Sequence, residues 1–252
     1  MKRVLATCAV MGLIWHSTVA NAAPSEPFAC KTPAEFSGLG VPLPGLRSSL
    51  AAGGPVTIVA LGTAATEGHG LQTAAGSYPA ILHDELKRLW PGIGLKVIGK
   101  SAAGPRAADQ LANLMEEVTA LRPNLVIWQP GAAEAAHDVG QARLKRYLDR
   151  GFAKLAGLEA DLVVMDLQFV RRRDSDERYL GYLSLIRTSA RKEEAGLFQR
   201  YAIMKWMSEN PQMQGSRSTT LDLWTSHQAA NRCVALALAQ AIDRAAREGG
   251  TH

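Results

Sequence analysis

Apolar runs and amphipathic stretches alternate along most of this chain. Val56–Leu61 is short, β-branched and bounded by Pro55 and Gly62, which predicts a buried strand. Tyr78–Leu89 carries Ile81, Leu82, Leu86 and Leu89 at helical spacing, and Pro91-Gly92 follows it. The same reading predicts strands at Leu95–Ile98, Leu125–Gln129 and Leu162–Asp166, with a short fifth strand within Ala195–Phe198. Helices are predicted at Ala107–Leu121, Ala142–Leu155, Arg178–Glu194 and Tyr201–Ser208. Gln228–Arg247 closes the chain, with Val234, Ala237, Leu238, Ala241 and Ile242 on its inward face.

Strands separated by helices of this length imply βαβ units, and so a parallel sheet of about five strands. Right-handed crossovers place helices on both faces, giving a three-layer α/β/α domain. Ligands bind such sheets beyond the carboxyl ends of the strands. The loops Gly62–His69, Gly99–Gly104 and Pro130–His137 are therefore the candidate site.

The segments before Val56 have a different character. Lys2 and Arg3 precede an apolar stretch, Val4–Trp15, and then Ala20-Asn21-Ala22. That order reads as a secretory signal peptide over 1–22, too short to span a bilayer, which takes about 20 apolar residues. Residues 23–54, interrupted by Pro42, Pro44 and Gly45, read as an extended N-terminal arm, and 55–252 as the folded domain. Export, to the periplasm or beyond, is the expected location. No later run is long enough to be a transmembrane helix, so no membrane association is expected after cleavage.

Export changes how charge and cysteine are read. Without Lys2 and Arg3 the surplus of basic residues over 23 acids falls from 5 to 3, which makes no case for nucleic acid. Arg171-Arg172-Arg173, followed by Asp174, Asp176 and Glu177, reads as a solvated loop. Cys8 leaves with the signal. Cys30 and Cys233 then favour a disulfide in an oxidising compartment, with two free buried thiols as the other reading. No zinc site follows from two cysteines without histidines at ligand spacing, and nothing calls for another metal or cofactor.

The blocks VTIVALGTAATEG, SYPAILHDELKRLWPGIGLKVIGKSAAG, RPNLVIWQPGAAE and LDLWTSHQAANRCVALALAQAI resemble, in order and spacing, those of the SGNH/GDSL hydrolases. The resemblance covers nearly the whole domain. It implies a flavodoxin-like fold and serine ester hydrolysis. It also places the family's catalytic positions on residues that cannot do that chemistry. The nucleophile position is Ala64, the oxyanion glycine Ser101, the oxyanion asparagine Ala133 and the base Thr225; Asp222, Gly62, Thr66, Gly104 and Gly131 match.

A methyl group has no lone pair for acyl transfer. Threonine does not accept a proton near neutral pH as imidazole does. Losing one oxyanion donor alone costs on the order of 10²–10³ in rate. The resemblance therefore implies a degenerate enzyme. Its vacated cleft would hold an acylated or glycan-like small molecule, or a partner protein, against Gly62, Ala64, Ser101, Gly131 and Trp224, with Trp128 on the flank. Two other readings stand beside it. One is an active esterase with His227 as base, Asp222 behind it and Thr63 or Ser101 attacking. The other is a scaffold that uses only the surface of the fold. Oligomeric state is not legible.

Overall fold

The computed structural model describes residues 30, 32–63, 66, 76–101, 115–210 and 221–248, with 221–229 described in backbone only. The signal sequence, Ala64, Gly104 and the first part of the predicted helix 107–121 lie outside the described residues.

Five strands form one all-parallel sheet: β1 (Val56–Gly62), β2 (Leu95–Ser101), β3 (Leu125–Trp128), β4 (Asp161–Met165) and β5 (Gly196–Phe198), in the order β2-β1-β3-β4-β5. The order reverses at β1, whose neighbours are β2 on one side and β3 on the other. This is the switch point at which open α/β sheets leave a crevice.

Register aligns the strand ends. Gly62 pairs with Ser101, Leu61 with Trp128, Trp128 with Val164, and Met165 with Phe198. Thr63, Gln129, Asp166 and Arg200 therefore all stand on the carboxyl rim. Alternation along the strands feeds two cores. Ile58, Ala60, Leu125, Ile127, Val163 and Met165 face one, and Val59, Leu61, Val126, Trp128 and Val164 the other. Burial on both faces is why these strands read as continuous apolar runs.

The helices are α1 (Pro44–Ala51), α2 (Tyr78–Leu89), α3 (residues 115–120), α4 (Ala132–Ala136), α5 (Gln141–Leu155), α6 (Glu177–Lys192), α7 (Arg200–Glu209) and α8 (Leu221–Arg247). Residues from α1, α2, α7 and α8 join the first core, and residues from α3, α5 and α6 the second. The result is the expected three-layer α/β/α architecture.

Three local expectations are corrected. The N-terminal arm is not simply extended: it holds a 3-10 turn at Ala34–Phe36 and α1. Pro44 does not break a helix there but starts one, because proline suits the first turn, where its missing N–H is not needed. The cap comes from far away: Asp161, at the start of β4, accepts from the backbone amides of Gly45 (3.3 Å) and Leu46 (2.7 Å). Leu39, Leu43 and Leu46 of this arm are buried, and the Leu39 carbonyl accepts from the Leu197 amide, covering the outer edge of β5.

Second, β2 continues past Ile98 to Ser101, since an edge strand tolerates Gly99 and Lys100. Third, α8 begins at Leu221 rather than Gln228; an aspartate in the first turn favours such a start. Cys30 and Cys233 are joined by a disulfide that ties the arm to α8.

Candidate functional site

The site is assembled where the strand ends meet. β1 delivers Gly62 to the rim. A Cβ at Gly62 would run into Thr66 Oγ1 and, at 3.2 Å, Gln129 Oε1, so only glycine lets these two side chains close over the strand. Thr63 is half-buried beside it, and the Thr66 amide donates to the Thr63 carbonyl at 2.7 Å. Ser101 ends β2 next to Gly62, in the ladder and not in a loop.

After β3, Gly131 adopts φ +84° and opens α4. A side chain there would be strained in that conformation and would meet Ile186 and Leu144. The agreement with the family glycine thus has a steric cause. Ala133 is half-buried within α4, with no polar atom on its side chain.

Glu134 is buried, not solvent-exposed as a lone loop carboxylate would be. Burial pushes its carboxyl above the ordinary range, while its own backbone amide, Arg143 and His137 oppose the shift. The folded state therefore holds this proton longer than the unfolded chain. The corresponding stability is present at acid pH and is lost as pH rises from the ordinary glutamate range through the raised value. Glu134→Gln should accordingly raise the unfolding midpoint at pH 7 and leave it unchanged near pH 4, as a pH series of thermal melts will show.

Trp128 does not flank the cleft. It is fully buried, with its ring edge-on to Phe152 at 5.0 Å and tilted on Tyr147 at 5.8 Å, beneath α5. Asp222, Trp224, Thr225 and His227 lie in the first turns of α8, and their side chains are outside the described residues. The backbone already bears on the His227–Asp222 pairing. Five residues of α-helix turn the chain so that these positions stand about 140° apart, whereas partners on a helix are three or four residues apart. Of the two histidines whose side chains are described, His83 bonds Asp84 on α2, and His137 is exposed at the end of α4.

Sequence reasoning missed a polar cluster on the same rim. Asp166, directly after β4, is wholly buried. It accepts from Arg187 Nε at 2.7 Å and from the Tyr201 amide at 2.8 Å, capping α7. Burial pushes its carboxyl up, and Arg187 pulls it back down. Tyr201 donates its hydroxyl to Asp174 at 2.7 Å, and Lys205 bonds the same carboxylate. Arg200, the first residue of α7, is only 7% exposed. The Tyr78 hydroxyl at the start of α2 is buried beside Thr66 and pushed up to about 12 by that burial. The one available signal was a charged residue, Asp166, directly after the apolar end of β4.

Comparison with known proteins follows this architecture. A family model described as the Non-GDSL lipase-like family matches residues 29–248. A variant of Axe2, an acetyl xylan esterase from Geobacillus stearothermophilus, superposes with TM-score 0.54 at 15% identity, over 61% of this chain and 80% of that one. A variant of esterase AlinE4 gives 0.52 at 18%, over 67% and 89%. LAE5, an alpha/beta hydrolase enzyme from the metagenome of Lake Arreo, Spain, gives 0.50 at 20%, over 71% and 96%. At such identities the likeness establishes the fold. No curated protein matches the sequence.

Proposed function

The chain belongs to the Non-GDSL lipase-like family of SGNH/GDSL-type hydrolase folds, and from that membership we propose that it is an exported, catalytically degenerate member. It binds a small acylated or glycan-type ligand at the carboxyl rim and does not cleave it. The observation that carries this reading is Ala64 at the nucleophile position, directly after Gly62-Thr63.

Further departures support it. Ala133 and Thr225 stand at the oxyanion and base positions, and the helical backbone separates positions 222 and 227. Losing a triad nucleophile or base costs on the order of 10⁶ in rate, so residual binding determinants do not restore turnover. Axe2 acts as an acetyl xylan esterase, which favours an acylated or carbohydrate ligand over a protein partner. Lys2, Arg3, the apolar stretch after them and the Cys30–Cys233 bridge support export.

Purified mature protein is expected to hydrolyse short-chain aryl esters no faster than buffer does. Turnover that Ala replacement of His227 abolishes would overturn the proposal. In the inactive case, Ala64→Ser combined with Ala133→Asn and Thr225→His tests whether the remaining shell still supports the chemistry.

A further inference from the structure

Several buried polar atoms without a hydrogen-bond partner belong to residues near the carboxyl rim. Among the described residues such atoms are Thr66 Oγ1, the Tyr78 hydroxyl, Arg200 Nε, Arg187 Nη2 and Arg47 Nη1. Arg187 Nη2 does stand 2.6 Å from Asp166 Oδ2, an ion pair of poor hydrogen-bond geometry. Arg47 belongs to α1, whose first turn is capped by Asp161 at the start of β4; on the carboxyl rim Thr66, Tyr78 and Arg200 remain.

Arg200 is the most costly of the three. Its Nε is buried without a hydrogen-bond partner, and a guanidinium nitrogen so placed forfeits its hydration. Asp166 is close enough to stabilise its charge, yet that carboxylate is already taken by Arg187 and the Tyr201 amide. Arg200 forms no ion pair among the described residues. Its electrostatic neighbours include Tyr78 of α2 and Tyr179 of α6. Burial pulls the guanidinium below the usual arginine range, the cost that an incoming anion would relieve.

Resting on the ligand-binding reading above, we infer that Arg200, with the Tyr78 and Thr66 hydroxyls, is the recognition end of the cleft for a small ligand bearing one carboxylate. The unpartnered guanidinium nitrogen calls for an anion, and the paired Tyr78 and Thr66 hydroxyls can turn a donor toward it. The guanidinium edge matches the planar, two-oxygen geometry of a carboxylate. One positive charge beside Asp166 balances a monoanion, whereas a phosphate dianion would be left undercompensated.

The probes are D-glucuronate, with glucose as its uncharged counterpart and inorganic phosphate and sulfate as other oxyanions, each titrated into the mature protein by calorimetry and thermal shift. Glucuronate should bind with a dissociation constant below about 10 mM, the weak end of specific affinities, and raise the unfolding midpoint, while glucose does neither. Arg200→Met should weaken glucuronate binding by about tenfold or more, as loss of a charge-assisted bidentate pair does. It should not lower the midpoint of the unliganded protein, because no native partner is lost. Tyr78→Phe should fold as the parent does and bind glucuronate more weakly.

Four results overturn the inference: no glucuronate binding by the parent protein, equal binding of glucose, preference for phosphate or sulfate, or a sharp loss of unliganded stability in Arg200→Met. The ester assay is independent. Absent glucuronate binding with absent turnover removes this inference alone. Turnover with glucuronate binding intact removes the non-catalytic reading alone.

Discussion

Cys30→Ala should lower the stability of the folded chain by about 5 kcal/mol, the chain-entropy value for so long a loop. The bridge spans 203 residues of sequence, so it restricts nearly the whole unfolded chain. It also fixes an arm that the fold uses. Leu39, Leu43 and Leu46 sit in the core, the Leu43 amide donates to the Ala245 carbonyl at 3.0 Å, and Leu39 edges β5. Replacing Cys30, which is only partly buried, leaves the buried Cys233 thiol in place and keeps the packing loss small. For a domain of this size the loss corresponds to roughly 10–15 °C in unfolding midpoint. Urea unfolding of the parent and variant under non-reducing conditions measures it. A difference below about 1 kcal/mol would mean that the bridge contributes no loop-closure entropy.

Gly151→Val should cost about 3 kcal/mol or more, at the upper end of overpacking penalties. Gly151 lies inside α5, where a side chain normally favours helix by up to about 1 kcal/mol relative to glycine. Here any Cβ would fall on the indole of Trp128. That ring cannot yield. It is buried, with Phe152 edge-on on one side and Tyr147 on another. The cost is therefore steric and specific to one partner. Trp128→Leu in the Gly151→Val background should recover part of it, so the double-mutant cycle shows coupling rather than additivity. Additive losses in chemical denaturation would place the strain elsewhere.

The two substitutions also mark what a linear reading can and cannot see. Val56–Leu61 and Tyr78–Leu89 were legible because their periodicity is set by burial on sheet and helix faces, which the residues themselves encode. Helix α1 was not, because its cap is Asp161, 115 residues further along; nothing near Pro44 announces it. Trp128 looked like a cleft wall because it ends β3. Register instead turns it into the core under α5, and alternation along so short a strand left the face ambiguous. Ser101 seemed to belong to a loop because Gly99 precedes it, yet pairing with Gly62 keeps it in the sheet.

The chemistry divided in the same way. The positions that the resemblance assigns to the family's catalysis follow from aligned blocks, so Ala64, Ser101, Ala133 and Thr225 could be named from sequence. The cluster of Thr66, Tyr78, Asp166, Arg187 and Arg200 could not. Its members come from five separate segments, and each alone resembles an ordinary surface or capping residue. Only the shared level of the strand ends brings them together. Glu134 is a related case: a carboxylate beside a loop suggests exposure, and α4 folds it inward.

We propose that no side chain on this rim forms a covalent acyl intermediate. Intact-protein mass spectrometry after exposure to a fluorophosphonate probe tests it most directly. The expected result is an unchanged mass. A stoichiometric adduct of one probe, mapped by peptide sequencing to Thr63, Thr66 or Ser101, would contradict it.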